Sequence, residues 1–147
     1  MKELRTAIEI SASAEEIWKV LTDFETFPAW NPFIQSIAGQ AITGNRLNVR
    51  IVPPGGQAMT FRPTVTQVKV NRELRWLGHL GLPGIFDGEH IFELEPLSEQ
   101  RTKFVQRECF KGILLPLLWK TLNSKTRKGF EQMNQRLKQR TEQQNHF

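Results

Sequence analysis

The residues of this 147-residue chain with the clearest chemical potential are His90, Gln106 and Glu108. Their context is two alternating runs. In Phe86–Glu95, His90, Phe92 and Leu94 share one face, and Glu89, Ile91, Glu93 and Glu95 share the other. In Thr102–Phe110, Phe104, Gln106, Glu108 and Phe110 oppose Lys103, Val105, Arg107 and Cys109. The Phe-bearing faces are expected to turn inward. That puts an imidazole, an amide and a carboxylate in an apolar interior, where unpartnered polar groups cost several kcal/mol. Three readings follow. The groups satisfy one another structurally, as His90 to Glu108, or Glu108 to a backbone group or Arg62. Alternatively they are the polar anchors of a ligand pocket. The third possibility is an acid/base pair, with Glu108 and His90 as the catalytic candidates.

Other chemistry is thin. The chain has one cysteine, which excludes an intrachain disulfide and a Cys-based zinc site. Cys109 falls between charged residues on the expected outer face, a poor setting for a nucleophile. His79, His90 and His146 lack metal-ligand spacing, and no metal site is expected. Gly81-Leu82-Pro83-Gly84 is not followed by Gly-Lys-Ser/Thr, so it is no phosphate loop. No Gly-x-Ser-x-Gly elbow occurs. No cofactor is expected. The absence of tyrosine removes any mechanism that needs a tyrosine acid.

The elements that must position these groups are legible from periodicity. Leu4–Ile10 alternates as a half-buried strand. Ser13 with Glu16 is a capping-box pattern, and Ile17, Val20, Leu21 and Phe24 recur at helical spacing, so a short helix spans 14–22. Pro28 and Pro32 limit the next aromatic segment to one short turn or helix. Strands are expected at 34–38, 46–52, 59–70, 73–80, 86–95 and 102–110, separated by Gly and Pro turns. A long amphipathic helix follows. Leu118, Leu122, Thr126, Gly129 or Phe130, Met133 and Leu137 form its apolar stripe, opposite Lys, Arg, Gln and Asn. It exceeds 20 residues, about 30 Å. Gly129 implies close packing there, and 141–147 reads as a frayed polar tail. The length suits one domain, with an ordered core of about 3–140. The expected class is α+β: a curved antiparallel sheet of six or seven strands wrapped on the long C-terminal helix, with two short helices after strand 1.

Charge is uneven. Residues 1–111 carry 13 basic and 13 acidic groups; residues 112–147 carry seven and two, and so account for the whole net +5. The basic face of the helix favours solubility and, secondarily, a weak contact with anionic membrane surfaces. Its basic residues alternate with Gln and Asn rather than exposed aromatics, which argues against nucleic acid. There is no apolar run long enough to span a bilayer and no secretory h-region in the first ten residues, so a cytoplasmic location is expected.

Several segments carry a resemblance. Ser13-Ala14-Glu15-Glu16-Ile17-Trp18, Leu21-Thr22-Asp23 and Trp30-Asn31-Pro32-Phe33 open it. Phe61-Arg62-Pro63-Thr64-Val65, Leu74-Arg75-Trp76-Leu77-Gly78, Gly84–His90, Arg101–Phe104 and Glu108–Gly112 extend it. In these the chain resembles the START-like, Bet v 1-like (SRPBCC) superfamily, nearest its polyketide cyclase/dehydrase and lipid-transport branch, over about residues 3–140. The resemblance implies a helix-grip fold with an internal apolar cavity.

Against that expectation, candidate ligand contacts are Phe27, Trp30, Phe33, Phe61, Val65, Trp76, His90, Phe92, Gln106, Glu108, Leu118 and Leu122. Phe27, Trp30 and Phe33 read either as a cavity mouth, with Asn31 offering a hydrogen bond, or as a staple holding the short helix to the sheet. Trp76 is core before it is a ligand platform. Trp119, with Leu114 and Leu115, is placed to cap the pocket. The loop Gly81–Phe86 is a lid or a wide hairpin with Leu82 and Phe86 packed inward. The leading expectation is a binder or carrier of a small apolar ligand: a lipid, isoprenoid or polyketide. The alternatives are a cyclase or dehydratase using Glu108 and His90, and an interaction module using the basic helix face. The ligand and the oligomeric state are not encoded legibly.

Overall fold

A computed structural model describes residues 1–144. The order is β1 (Lys2–Ile10), α1 (Ala14–Thr22), a 3-10 turn (Phe24–Thr26), α2 (Phe27–Trp30), β2 (Ile34–Ala38), β3 (Asn48–Ile51), β4 (Met59–Phe61), β5 (Thr64–Lys69), β6 (Glu73–His79), β7 (Asp87–Ser98), β8 (Arg101–Lys111), α3 (Leu115–Thr121), a π-turn (Leu122–Thr126) and α4 (Arg127–Gln144). The fold is α+β, an antiparallel sheet gripping a long C-terminal helix. The capping box forms: Glu16 N donates to Ser13 Oγ at 3.1 Å, and Ser13 N donates to Glu16 Oε1 at 3.3 Å.

Hydrogen-bonded ladders give the orders β1-β8-β7-β6-β5 and β2-β3-β4. The two are one sheet with a bend. Leu47 N donates to Pro63 O and Val65 N to Asn45 O, and Arg46 pairs with Thr64. The 44–51 chain therefore runs against 59–65 without a break in register. Met59–Val70, read from sequence as one strand, bends at Arg62-Pro63, where the proline brings no N–H to the ladder. Counting β4 and β5 as that single bent strand, the sheet has seven. Proline behaves differently in β7, which runs past Pro96 to Ser98 instead of stopping there. Pairing with β6 ends at Glu93, so Pro96 lies where β7 has no partner on that side.

The C-terminal helix packs in two qualities. In α4, Gly129, Phe130, Met133, Asn134, Leu137 and Thr141 are buried. A methyl group built on Gly129 would overlap the Phe33 ring, so the expected close approach is to the residue leading into β2. In α3 only Leu115 is buried, while Leu117 is 80% exposed. Two expectations are corrected. Asn134, assigned to the polar side, is 3% exposed and faces the sheet. The helix continues to Gln144, and Thr141 is buried with its hydroxyl donating to Leu137 O, so only 145–147, including His146, lie outside the described residues.

Part of the basic face is tied to the body of the protein. Arg127 donates to Arg5 O, and Lys138 donates to Glu9 O and to Glu142. No helix among the described residues is long and apolar enough to cross a membrane.

Candidate functional site

The inner face of the sheet is a grid set by strand register. One row runs Leu4, Glu108, His90, Trp76, Val65; the next runs Thr6, Gln106, Phe92, Leu74, Val68. The alternation that predicted an inward imidazole, amide and carboxylate is correct. His90 is 1% and Gln106 0% exposed.

The polar groups form one chain of contacts. Gln106 Nε2 donates to Asn134 Oδ1 at 2.8 Å and to Phe130 O at 3.4 Å. Asn134 Nδ2 donates to Thr6 Oγ1 at 2.9 Å, and that hydroxyl donates to Gln106 O at 2.9 Å. With its amide so oriented, Gln106 presents Oε1 to His90 Nε2 at 2.9 Å. His90 Nε2 must therefore carry a hydrogen. Its Nδ1 faces Glu108 Oε1 at 3.4 Å. At 3.4 Å the contact is longer than a tight charge-assisted bond, and a ligand hydroxyl or carbonyl can compete for either partner.

Glu108 occupies a special spot. Its carboxylate lies over Gly88, where any side chain would collide with it, and Gly88 pairs with Gly78. Around Gly78 only Pro63 comes within ordinary contact, at 3.6 Å. Gly88 leaves the space that the Glu108 carboxylate and the Phe110 ring occupy, Gly78 adds no side chain of its own beside it, and the Glu108 side chain is 17% exposed. The other side of His90 is walled by rings: Phe92 at 4.7 Å, Phe130 at 5.0 Å and Trp76 at 5.3 Å between centroids.

The expected ligand contacts thus divide. Phe33, Val65, Trp76, His90, Phe92, Gln106 and Glu108 meet on the interior under the helix. Phe27 and Trp30 are buried in the same continuous core, packed edge-to-face in series with Phe24 at 5.5 and 5.1 Å. Asn31 Oδ1 accepts from Phe33 N and Ile34 N, which makes it the hinge of that turn. Leu118 and Leu122 lie half-buried on the loose part of the helix. Phe61 lies half-buried at the sheet edge, beside an outer cleft. Arg62, one proposed partner of Glu108, is on the outside. Leu82, expected inside, is 72% exposed, whereas Phe86 does pack inward, stacking on Phe110 at 5.6 Å. The two clefts measured, about 600 and 510 Å³, are both lined by outer-face or edge residues rather than by the interior.

Asn134 and Thr6 were missed. Thr6 was assigned to the inner row of its strand without a role. Asn134 follows Phe130 by four and precedes Leu137 by three, a helical phase that outweighs its polarity.

On the outer face, chemistry is electrostatic bracing. Glu73 at 2.8 Å holds Arg75 above the usual guanidinium range, and Glu93 at 2.7 Å does the same for Arg107. Burial, reinforced by Glu3, pushes the Cys109 thiol up, which agrees with its reading as a poor nucleophile. No cluster able to hold a metal ion occurs among the described residues.

Comparison with known structures shows the same fold. A START superfamily protein from Mycobacterium smegmatis superposes with a TM-score of 0.77 at 24% identity, over 96% of this chain and 97% of that one. The Zhui aromatase/cyclase from Streptomyces sp. R1128 also reaches 0.77, at 12% identity, over 96% and 93%. A Thermus thermophilus protein gives 0.74 at 20%, over 95% and 97%. No curated protein matches the sequence. Residues 1–142 match the family model for polyketide cyclase / dehydrase and lipid transport, and the chain belongs to that family. Membership implies binding of a hydrophobic ligand or cyclase function.

Proposed function

We propose that this protein binds a small, mostly apolar molecule carrying one polar group in the interior between sheet and helix. The observation that supports this most is the placement of Glu108 and His90. They face each other across a loose 3.4 Å contact beside Gly78 and Gly88, and at Gly78 only Pro63 stands within ordinary contact. Gln106, Asn134 and Thr6 fix the orientation of the His90 ring, so Nδ1 and the Glu108 carboxyl are the polar atoms held toward a ligand. Apolar walls supply affinity at about 25 cal/mol per Å² buried, and the pair orients the ligand's polar group. Lipid, isoprenoid and polyketide-like ligands fit this description.

A second reading rests on the facing imidazole and carboxyl of His90 and Glu108. A buried pair that can give or take one proton at Glu108 Oε1 or His90 Nδ1 suits enolisation or dehydration of a polyketide-like chain. The polyketide cyclase / dehydrase and lipid transport family to which the chain belongs lends that reading its substrate class.

The test is a titration with N-phenyl-1-naphthylamine, a neutral apolar fluorophore, against the wild type and Gly78→Leu. A leucine there projects beside the acid. Saturable one-to-one binding, weakened at least about tenfold by Gly78→Leu with the melting temperature retained, supports interior binding. Equal binding by both proteins overturns it. Retained turnover of a polyketide-like substrate by a His90→Ala, Glu108→Gln double variant removes the enzymatic reading.

A further inference from the structure

Between Glu25 and Glu73 the sequence contains no acidic residue, but it contains Arg46, Arg50, Arg62, Lys69 and Arg72. The structure gathers part of this charge at the bend of the sheet. Ahead of Pro63, β4 splays away from the end of β6, and a cleft of about 510 Å³ opens between them. It is lined by Arg46, Arg62, His79, Thr60 and Thr64 on its polar side, and by Met59, Phe61, Leu77 and Leu80 on its apolar side. A volume of that size accommodates a small ligand.

The two guanidinium groups are positioned but not neutralised. Arg46 donates from Nε and Nη2 to Arg62 O, at 3.3 and 3.0 Å, which fixes its guanidinium and leaves Nη1 unspent. Among the described residues no carboxylate pairs with Arg46 or Arg62. His79 Nδ1 is held by Asp87 Oδ1 at 2.7 Å, leaving Nε2 outward. The nearby acids are committed elsewhere. Asp87 also accepts from Gly84 N at 3.1 Å, and Glu89 is engaged by Arg75 and Thr66. Arg75, Arg101 and Arg107 of the sheet, by contrast, each face a glutamate, although Arg50 and Arg72 pair with no carboxylate among the described residues.

We propose that this cleft is a second, independent site that takes an amphipathic anion: a carboxylate or phosphate head on Arg62, Arg46 and His79, and a short apolar tail on Met59, Phe61, Leu77 and Leu80. The site lies outside the sheet–helix interior and does not rest on the interior reading. The charge-assisted bonds give preference for an anionic head, and the apolar strip distinguishes an amphiphile from a free anion.

The experiment is calorimetric titration with octyl phosphate, octanoate, octan-1-ol and inorganic phosphate. The imidazole signals of His79 are followed by NMR in parallel. Octyl phosphate and octanoate move the His79 signals, whereas octan-1-ol, even where it gives heat by entering the interior, leaves them in place. Arg62→Gln weakens octyl phosphate about tenfold or more, and Arg62→Lys restores part of it. Inorganic phosphate binding as tightly as octyl phosphate overturns the amphiphile assignment. Octan-1-ol moving the His79 signals as strongly, or an unchanged affinity in a folded Arg62→Gln, overturns the site. Because the readout is His79 rather than interior fluorescence, a failure here is separate from a failure of interior binding.

Discussion

The two halves of the C-terminal helix cover the same sheet in opposite ways. Along α4, Phe130, Met133 and Leu137 are fully buried, and Asn134 hydrogen-bonds into the sheet. Along α3 and the π-turn, Leu118, Trp119 and Leu122 are half-buried, and Leu117 and neighbouring Ile113 are 80% and 77% exposed. One half is a wall and the other is a cover. A π-turn, which inserts a residue and interrupts helical phase, separates them, and such turns concentrate at functional sites. The difference shows where a closed interior can open. Local opening costs least where few apolar contacts must be broken, beneath α3 and beside the Gly81–Phe86 loop, and the proposed ligand would enter there.

The sharpest way to break this contrast is a pair of truncations. Phe130→Ala should cost about 3–5 kcal/mol in urea denaturation, because it empties a packed site. Leu118→Ala should cost under about 1 kcal/mol. Equal costs would erase the distinction between wall and cover. Asn134→Leu should cost about 1–3 kcal/mol, since Gln106 Nε2 loses its better acceptor in a dry place. It should also release the constraint on the orientation of the His90 ring, visible in the His90 ring nitrogen shifts. Gly129→Ala raises helix propensity, yet it should destabilise by about 1–3 kcal/mol because its methyl meets Phe33. A stabilised variant would show that the wall is looser than described.

The smallest effect concerns the loop beside the cover. The His79 hydrogen bond, then Gly84 N, hold the Asp87 carboxyl below the usual aspartate range. A carboxyl depressed by folding contributes stability above its unfolded value, about 3.9, and loses it as pH falls through the lower folded value. Amide exchange in 80–86 should therefore speed up as pH drops below about 4, after correction for intrinsic rates. Asp87→Asn should flatten that dependence.

Most of the fold was legible in the sequence because period-2 and period-3.6 patterns report burial directly. The inward row of His90, Gln106 and Glu108 followed from alternation alone. What alternation lacks is depth. Phe61 was read as a ligand contact and Leu82 as one inward residue of a wide hairpin, but the splay of β4 ahead of Pro63 and the loop beyond β6 leave them at an edge or in solvent. Polarity also misled where geometry dominates. Asn134 looked like a solvent residue, and its burial depends on Gln106 and Thr6, two partners far away in sequence. Whole-chain charge totals hid the acid-free stretch from Glu25 to Glu73, because neutral sums over 1–111 average out its surplus.

The most direct test of interior binding uses the four tryptophans as reporters. Indole N–H signals of Trp18, Trp30, Trp76 and Trp119 are followed by NMR while octan-1-ol is added. Interior binding through the cover predicts that Trp76, beside His90, and Trp119, on the cover, shift together and saturably, while Trp18 on α1 stays in place. Shifts confined to Trp119, with Trp76 unmoved at saturation, would contradict it.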